Sequence, residues 1–276
     1  MHTERKMVID IHTHIFPDRI APKTIDILLG NIKTLHGICN KAYSDATLGG
    51  LKTSMHDAGV DLSVVLPIVT NIKRTESINL FAGDVNNQNA DVISFAGIHP
   101  LCDDTDVILS DIKEKGFKGI KLHPEFQKFY IDSDESLKVL KKAEELGLLV
   151  LIHSGVDIGI PPPVHCTPER LKNALKIVSS KNIIAAHLGG WKMWDDVEKH
   201  LVGTNINFDT AFIKDYISKE QFERIVKNHG ADKILFGSDS PWENPKDTLD
   251  FIKSLNLTVG DFDKITYKNA KRLLSI

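Results

Sequence analysis

Cysteine is scarce in this chain: Cys39, Cys102 and Cys166 are the only three in 276 residues. They are widely spaced and odd in number, which argues against a disulfide framework. Basic charge is not in excess either. The 34 Lys and Arg stand against 37 Asp and Glu, for a net charge of −3, so no overall basic field points to nucleic acid or an anionic membrane. No apolar run approaches the roughly 20 residues of a bilayer crossing. The opening MHTERK has no hydrophobic stretch of signal-peptide length before Asp10 interrupts it. No G-x-G-x-x-G follows the first apolar run, and no Walker-type loop occurs. No linker, low-complexity segment or repeat divides the chain. The expectation is one domain over 1–276 in a cytoplasmic enzyme or binding protein. It would act on a small molecule, with no nucleic-acid or membrane partner, and a homodimer is left open.

What is present is a series of short apolar runs rich in Val and Ile: MVIDIH (7–12), DLSVVLP (61–67), VISFAGIH (92–99), GIKLH (119–123), LLVLIH (148–153), NIIAAH (182–187), NINFD (205–209) and KILFGSD (233–239). Such runs suit strands buried on both faces, as in a parallel sheet. Between them lie stretches with apolar residues at helical spacing, at 133–147, 167–180 and 218–230. Ser133 is a candidate N-cap with Gly147 ending that helix, and Thr167 precedes Pro168 at a first helical position. Eight strands alternating with helices predict an α/β fold, a (β/α)8 TIM barrel, with an open doubly wound sheet as runner-up. Residues 15–60 are expected to add helices over the barrel mouth, and GVDIGIPPPVHC (155–166) to form a partial lid.

Twelve histidines are the compositional oddity. His2, His56, His200 and His229 lie in polar or terminal contexts and read as surface residues. Six of the other eight end strands: His12 with His14, His99, His123, His153 and His187, joined by Asp239 and Asp209. In a β/α barrel the C-terminal strand ends meet on one face, where active sites are built. Alternation along a strand also sends His12 and His14 to the same side. Neutral imidazoles with a carboxylate suit Zn, and also Mn, Fe or Ni. Buried together without a metal they would face uncompensated desolvation.

The order of these residues resembles the amidohydrolase superfamily. Within it, "IDIHTHIFP", "GIKLHP", "LIHSG", "AHLGG" and "LFGSDSPW" look like the amidohydrolase-related branch that includes aminocarboxymuconate-semialdehyde decarboxylase, and "KITYKNAKRLL" is similar to its closing helix. The match runs from about residue 8 to the end. The resemblance implies one divalent metal, zinc as the first expectation, held by His12, His14, His153 and Asp239. It makes His187 the catalytic histidine or a ligand of a second metal. Lys121 stands where two-metal relatives carry a carbamylated lysine, so a second metal through Lys121 and His187 stays open. His123 and Lys121, both on the same side of their strand, would face substrate. A bound divalent ion would activate water, with Asp239 as general base and His187 stabilising developing charge or returning a proton.

Other residues are weaker candidates. His99 ends a strand and is counted toward the substrate, as is Trp242, which follows the GSDSP motif. Trp191 and Trp194 either wall the pocket or pack helices. His165 and Cys166 read as an ordinary loop pair, Asp209 as the end of a strand, and Arg19 and Lys192 as surface residues. The leading expectation is a metal-dependent hydrolase of a small carboxylate, lactone or amide. The alternative is a nonoxidative metal-dependent decarboxylase of an aromatic or muconate-type acid. A deoxyribonuclease on the same scaffold is discounted for want of basic charge, and a non-catalytic metal-binding barrel is the remaining option.

Overall fold

The computed structural model describes residues 6–179 and 181–276. Nine strand segments occupy the eight apolar runs: β1 Ile9–Thr13, β2 Leu62–Val65, β3 Val92–Ser94, β4 Ala96–Gly97, β5 Gly119–Leu122, β6 Leu149–Ile152, β7 Ile183–Ala185, β8 Asn207–Asp209 and β9 Ile234–Leu235. Every pairing among them is parallel, in the orders β1-β2-β3 and β4-β5-β6-β7-β8-β9. This is the expected α/β TIM barrel, with two seams.

At the first seam the third apolar run switches neighbours, β3 pairing with β2 and β4 with β5. The backbone groups freed by the switch are taken up by the helix Thr75–Gln88. Asn86 brackets Ser94 and Asn79 brackets Gly97, each with its side-chain oxygen accepting (2.6 and 2.8 Å) and its amide donating (3.0 and 3.0 Å). Buried backbone groups need such partners. At the second seam Ile11 N–H donates to Phe236 O at 2.9 Å, and an isolated parallel bridge joins Thr13 to Ser240.

One apolar cluster takes Ile9 and Ile11 from β1, Leu62 and Val64 from β2, Leu149 and Leu151 from β6, Ile184 from β7 and Leu235 from β9. Side chains from strands this far apart around the ring meet across its axis, so the barrel is a packed core. A larger cluster lies between strands and helices. Two helices start where the caps predict, Ser133 and Thr167 accepting from Ser136 and Arg170 N–H, and Ser218 caps a third by accepting from Gln221 N–H. The second of them is shorter than the apolar spacing implies, ending at Ala174. None of the described helices is long and apolar enough to cross a membrane.

The first connection holds two helices, as expected. Leu48–Ala58 buries Leu51 and Met55 and packs on Pro245–Lys253. Ala21–His36 buries only Ala21 and Ile32 and lies over the mouth, where His36 Nε2 is 2.8 Å from Ile158 O in the other expected lid segment.

His229 is not the surface residue expected from its sequence. It is buried, stacks on Phe208 with ring centroids 4.1 Å apart, and uses both nitrogens, Nε2–H donating to Ile206 O (2.8 Å) and Nδ1 accepting from Gly203 N–H (3.2 Å). His56 is exposed as expected, His200 is half-buried, and His2 lies outside the described residues. Burial pulls the His229 pKa down to about 4. The unfolded chain takes up this proton near pH 6.5 and the folded one does not. Its contribution is therefore complete above pH 6.5 and is lost as pH falls toward 4. His229→Gln is expected to narrow the drop in unfolding free energy between pH 7.5 and 5, measured in urea. An unchanged drop would rule out a buried neutral imidazole. His229→Ala should cost roughly 2 kcal/mol or more.

Candidate metal centre

The residues around the mouth are organised by which ring nitrogen of each histidine has a proton to give. His12 Nδ1 lies 2.8 Å from Asp209 Oδ2, and His14 Nδ1 lies 2.9 Å from Leu66 O. Both partners only accept, so each neutral ring carries its proton on Nδ1 and a lone pair on Nε2. Those two Nε2 atoms are 3.2 Å apart, and Asp239 Oδ1 stands 3.4 Å from one and 3.2 Å from the other. Three buried acceptors thus converge with no proton of their own to share, beside the Lys121 ammonium at 3.2 Å from His12 Nε2, which is an arrangement a cation satisfies. Buried His/carboxylate sets of this kind fit a divalent metal, and these three ligand atoms lie within 4.8 Å of one another.

The protein holds this convergence against repulsion. Asp209 accepts His187 N–H (2.8 Å) and Ala211 N–H (3.0 Å) on Oδ1 while Oδ2 takes His12. Far from merely ending its strand, it orients a candidate ligand and the neighbouring histidine. Burial, and then the charge of Lys121, hold the His12 pKa well below its ordinary value. Lys121 Nζ lies 3.2 Å from His12 Nε2, and burial pushes that ammonium down to about 8 against the pull of Asp239, Asp209 and Asp157.

Two of the polar site residues sit in the left-handed region: His187 at φ +59° and Asp239 at φ +65°. For non-glycine residues this costs of order 1–3 kcal/mol each. Fixed partners impose it: Trp194 Nε1–H donates to His187 O (3.1 Å), and Asp239 N–H donates to His12 O (2.8 Å).

His153 does not join His12, His14 and Asp239 in this geometry. His187 donates from Nδ1 to Ala211 O (2.8 Å), so its Nε2 accepts from His153 Nδ1–H at 3.0 Å. That leaves a lone pair on His153 Nε2, which is buried, has no hydrogen-bond partner, and stands 3.8 Å from Asp157 Oδ2. His123 stacks on His153, with centroids 4.1 Å apart, and its Nε2 faces the same Asp157 oxygen at 3.4 Å. Because His123 Nδ1 accepts from Phe126 N–H (3.3 Å), Nε2 is a donor here. Burial raises Asp157 to about 6. Sequence reasoning missed Asp157; its one signal is an acid four residues after His153 in an otherwise apolar stretch.

These groups share one cavity of about 120 Å³, which also touches His187, Lys121, Trp191 and Trp242. Its other walls are largely apolar, with Phe16 and Ile32 from the first connection, Phe126, and Phe212. Trp194 packs and donates to backbone, and so does not wall the cavity. His99 is not brought to the cavity. Its Nδ1 accepts Leu101 N–H (3.2 Å), closing its own turn. His165 stays a loop residue beside Tyr130, and Arg19 and Lys192 are exposed.

The amidohydrolase family model matches residues 9–276. The chain belongs to the amidohydrolase family, in agreement with the resemblance carried by its strand-end motifs. A search of curated proteins returned no match. Among solved structures, 5-carboxyvanillate decarboxylase from Sphingomonas paucimobilis is similar at 13% identity and TM-score 0.71, over 99% of this chain and 100% of that one. An uncharacterised TIM-barrel protein from Bordetella bronchiseptica is similar at 16% identity and TM-score 0.73, over 98% of each. A dihydroxybenzoic acid decarboxylase from a Polaromonas species, with bound manganese and the inhibitor 2-nitroresorcinol, is similar at 14% identity and TM-score 0.66, over 98% and 97%. At these identities the likeness is one of fold.

An ion bound only by the folded state stabilises it by about 2.7 kcal/mol at a hundredfold excess over Kd. Mn²⁺ or Zn²⁺ added to chelator-stripped protein is expected to raise Tm by several degrees, reversibly with EDTA. The shift should vanish in His14→Ala and Asp239→Asn; an undiminished shift in both would remove these residues from the ligand set.

Proposed function

We propose that the protein is a divalent-metal-dependent nonoxidative decarboxylase of a small aromatic or unsaturated carboxylic acid. The observation that carries this reading is the cavity: apolar and aromatic walls above a floor where His12, His14 and Asp239 converge beside the buried Lys121 ammonium. The fold likeness to two decarboxylases of aromatic acids, one holding manganese, supports it over the hydrolase expectation.

A bound divalent ion, manganese or zinc, would hold an oxygen of the substrate and draw negative charge toward it. The rest falls to the chain's own residues. Phe16, Phe126, Phe212 and Trp242 exclude water, and a carboxylate stripped of water loses hydration that a charge-dispersed transition state needs less. Lys121, with Lys41 at the rim, supplies cationic charge to the acid end. Across the cavity, His123 Nε2–H and the acceptors on Asp157 and His153 can grip a polar substituent. As the carbon–carbon bond breaks, CO₂ leaves and the electron pair stays on carbon, where a proton must arrive. His187, anchored through Nδ1–H on Ala211 O, is placed to relay that proton through Nε2, the atom that accepts from His153 Nδ1–H.

Hydrolysis of a small lactone or amide is the second reading. Asp239 favours it, because its carboxylate stands beside His12 and His14, where a water drawn to the same point would lie within reach of a general base.

Mn²⁺-loaded protein incubated with carboxylated aromatics and muconate-type acids is expected to release CO₂ in step with loss of the acid. Asp239→Asn should slow that release by about 10²–10⁴-fold. Turnover of lactones or amides with no CO₂ from any acid would replace this reading with the second one.

A further inference from the structure

Asp10 lies outside the cavity lining, yet the H-x-H segment and the segment bearing Asp239 meet on it. Its Oδ1 accepts His12 N–H (3.1 Å) and Ser238 N–H (3.0 Å), and its Oδ2 accepts Ser238 Oγ–H (2.5 Å). Ser238 Oγ in turn accepts Ser240 N–H (3.1 Å). The residues gripped are the candidate ligand His12 and the two neighbours of the candidate ligand Asp239.

A regular ladder does not set the register here. β9 ends at Leu235, four residues before Asp239, and β1 is irregular between Asp10 and Thr13. The two segments are joined instead by single bonds, Asp239 N–H to His12 O (2.8 Å) and His14 N–H to Ser240 O (2.6 Å), with the Asp10 carboxylate between them. A fully buried carboxylate costs desolvation that an apolar pair at the same seam would avoid. What an apolar pair lacks is a fixed grip on individual N–H groups.

We propose that Asp10 is a positioning residue for the metal centre: it sets the separation of His12 and His14 from Asp239, so that their three acceptor atoms converge. This rests on the metal reading of those three residues. Loosening the carboxylate's grip leaves every ligand in place chemically but lets the set spread, so the loss appears in ion affinity and ligand-field geometry as well as in stability.

The test compares wild type, Asp10→Asn, Ser238→Ala and His229→Gln by Mn²⁺ affinity against a competing chelator, by the Co²⁺ d–d spectrum, and by thermal melting. Asp10→Asn is expected to weaken Mn²⁺ by about 10–100-fold, the usual cost of losing a group that orients a ligand, and to shift the Co²⁺ bands. Ser238→Ala should move both in the same direction by less, and it carries the test if Asp10→Asn does not fold. His229→Gln, whose ring bonds to Ile206 and Gly203 and to none of the candidate ligands, should lower Tm with affinity and spectrum unchanged. Wild-type affinity and Co²⁺ bands in the folded Asp10→Asn variant, or in Ser238→Ala if that variant fails to fold, would overturn the proposal while leaving the metal reading intact. A wild type that binds neither ion would overturn both.

Discussion

Three lone pairs aimed at one another are the constraint from which the rest of the mouth follows. Nε2 of His12, Nε2 of His14 and Oδ1 of Asp239 stand 3.2–3.4 Å apart with no proton to share. Left to itself such a cluster would rotate apart or take up protons. It persists because each imidazole is pinned from behind by an acceptor, Asp209 for His12 and the Leu66 carbonyl for His14. The same device operates at His187, pinned on Ala211, and propagates one step further to His153. Tautomers are thus decided outside the cavity, and the lone pairs that result are what the cavity offers to a ligand.

The fold supplies this pinning at a cost in backbone strain and buried charge. His187 and Asp239 occupy left-handed backbone, and Asp10, Asp209 and Lys121 are ionisable groups with almost no exposure. Concentrated at one end of the barrel, these are features that a purely structural seam would not need. The opposite requirement, low polarity, is met by the loops. The helix Ala21–His36 and the 155–166 segment, tied together through His36 and Ile158, roof the polar floor with apolar side chains.

Much of the architecture was legible because buried parallel strands leave a strong mark: short Val- and Ile-rich runs, all but DLSVVLP stopping at a histidine or an aspartate. The caps at Ser133 and Thr167 were legible for an equally local reason, since they act within one turn. The split of the third run into β3 and β4 was not, because it depends on Asn79 and Asn86 reaching over from a neighbouring helix. His229 looked superficial because its burial comes from Phe208 and Ile206, about twenty residues earlier. His99 shared the strand-end pattern of the other histidines, yet a bond to its own turn holds it away from the cavity.

The sequence by itself determined the parallel α/β alternation, the convergence of strand ends, and most of the polar groups brought to the mouth, though not Asp157. Periodicity and chain order suffice for these, since a strand's residue spacing dictates which side each residue faces. Only the tertiary structure decided the partition among them: His12, His14 and Asp239 in one set, His153 turned toward His187 and Asp157, and Asp209 in a supporting role. That partition depends on which carbonyl or carboxylate stands behind each ring. Those partners come from other strands, as far as 197 residues away for His12 and Asp209, so no local pattern along the chain records them.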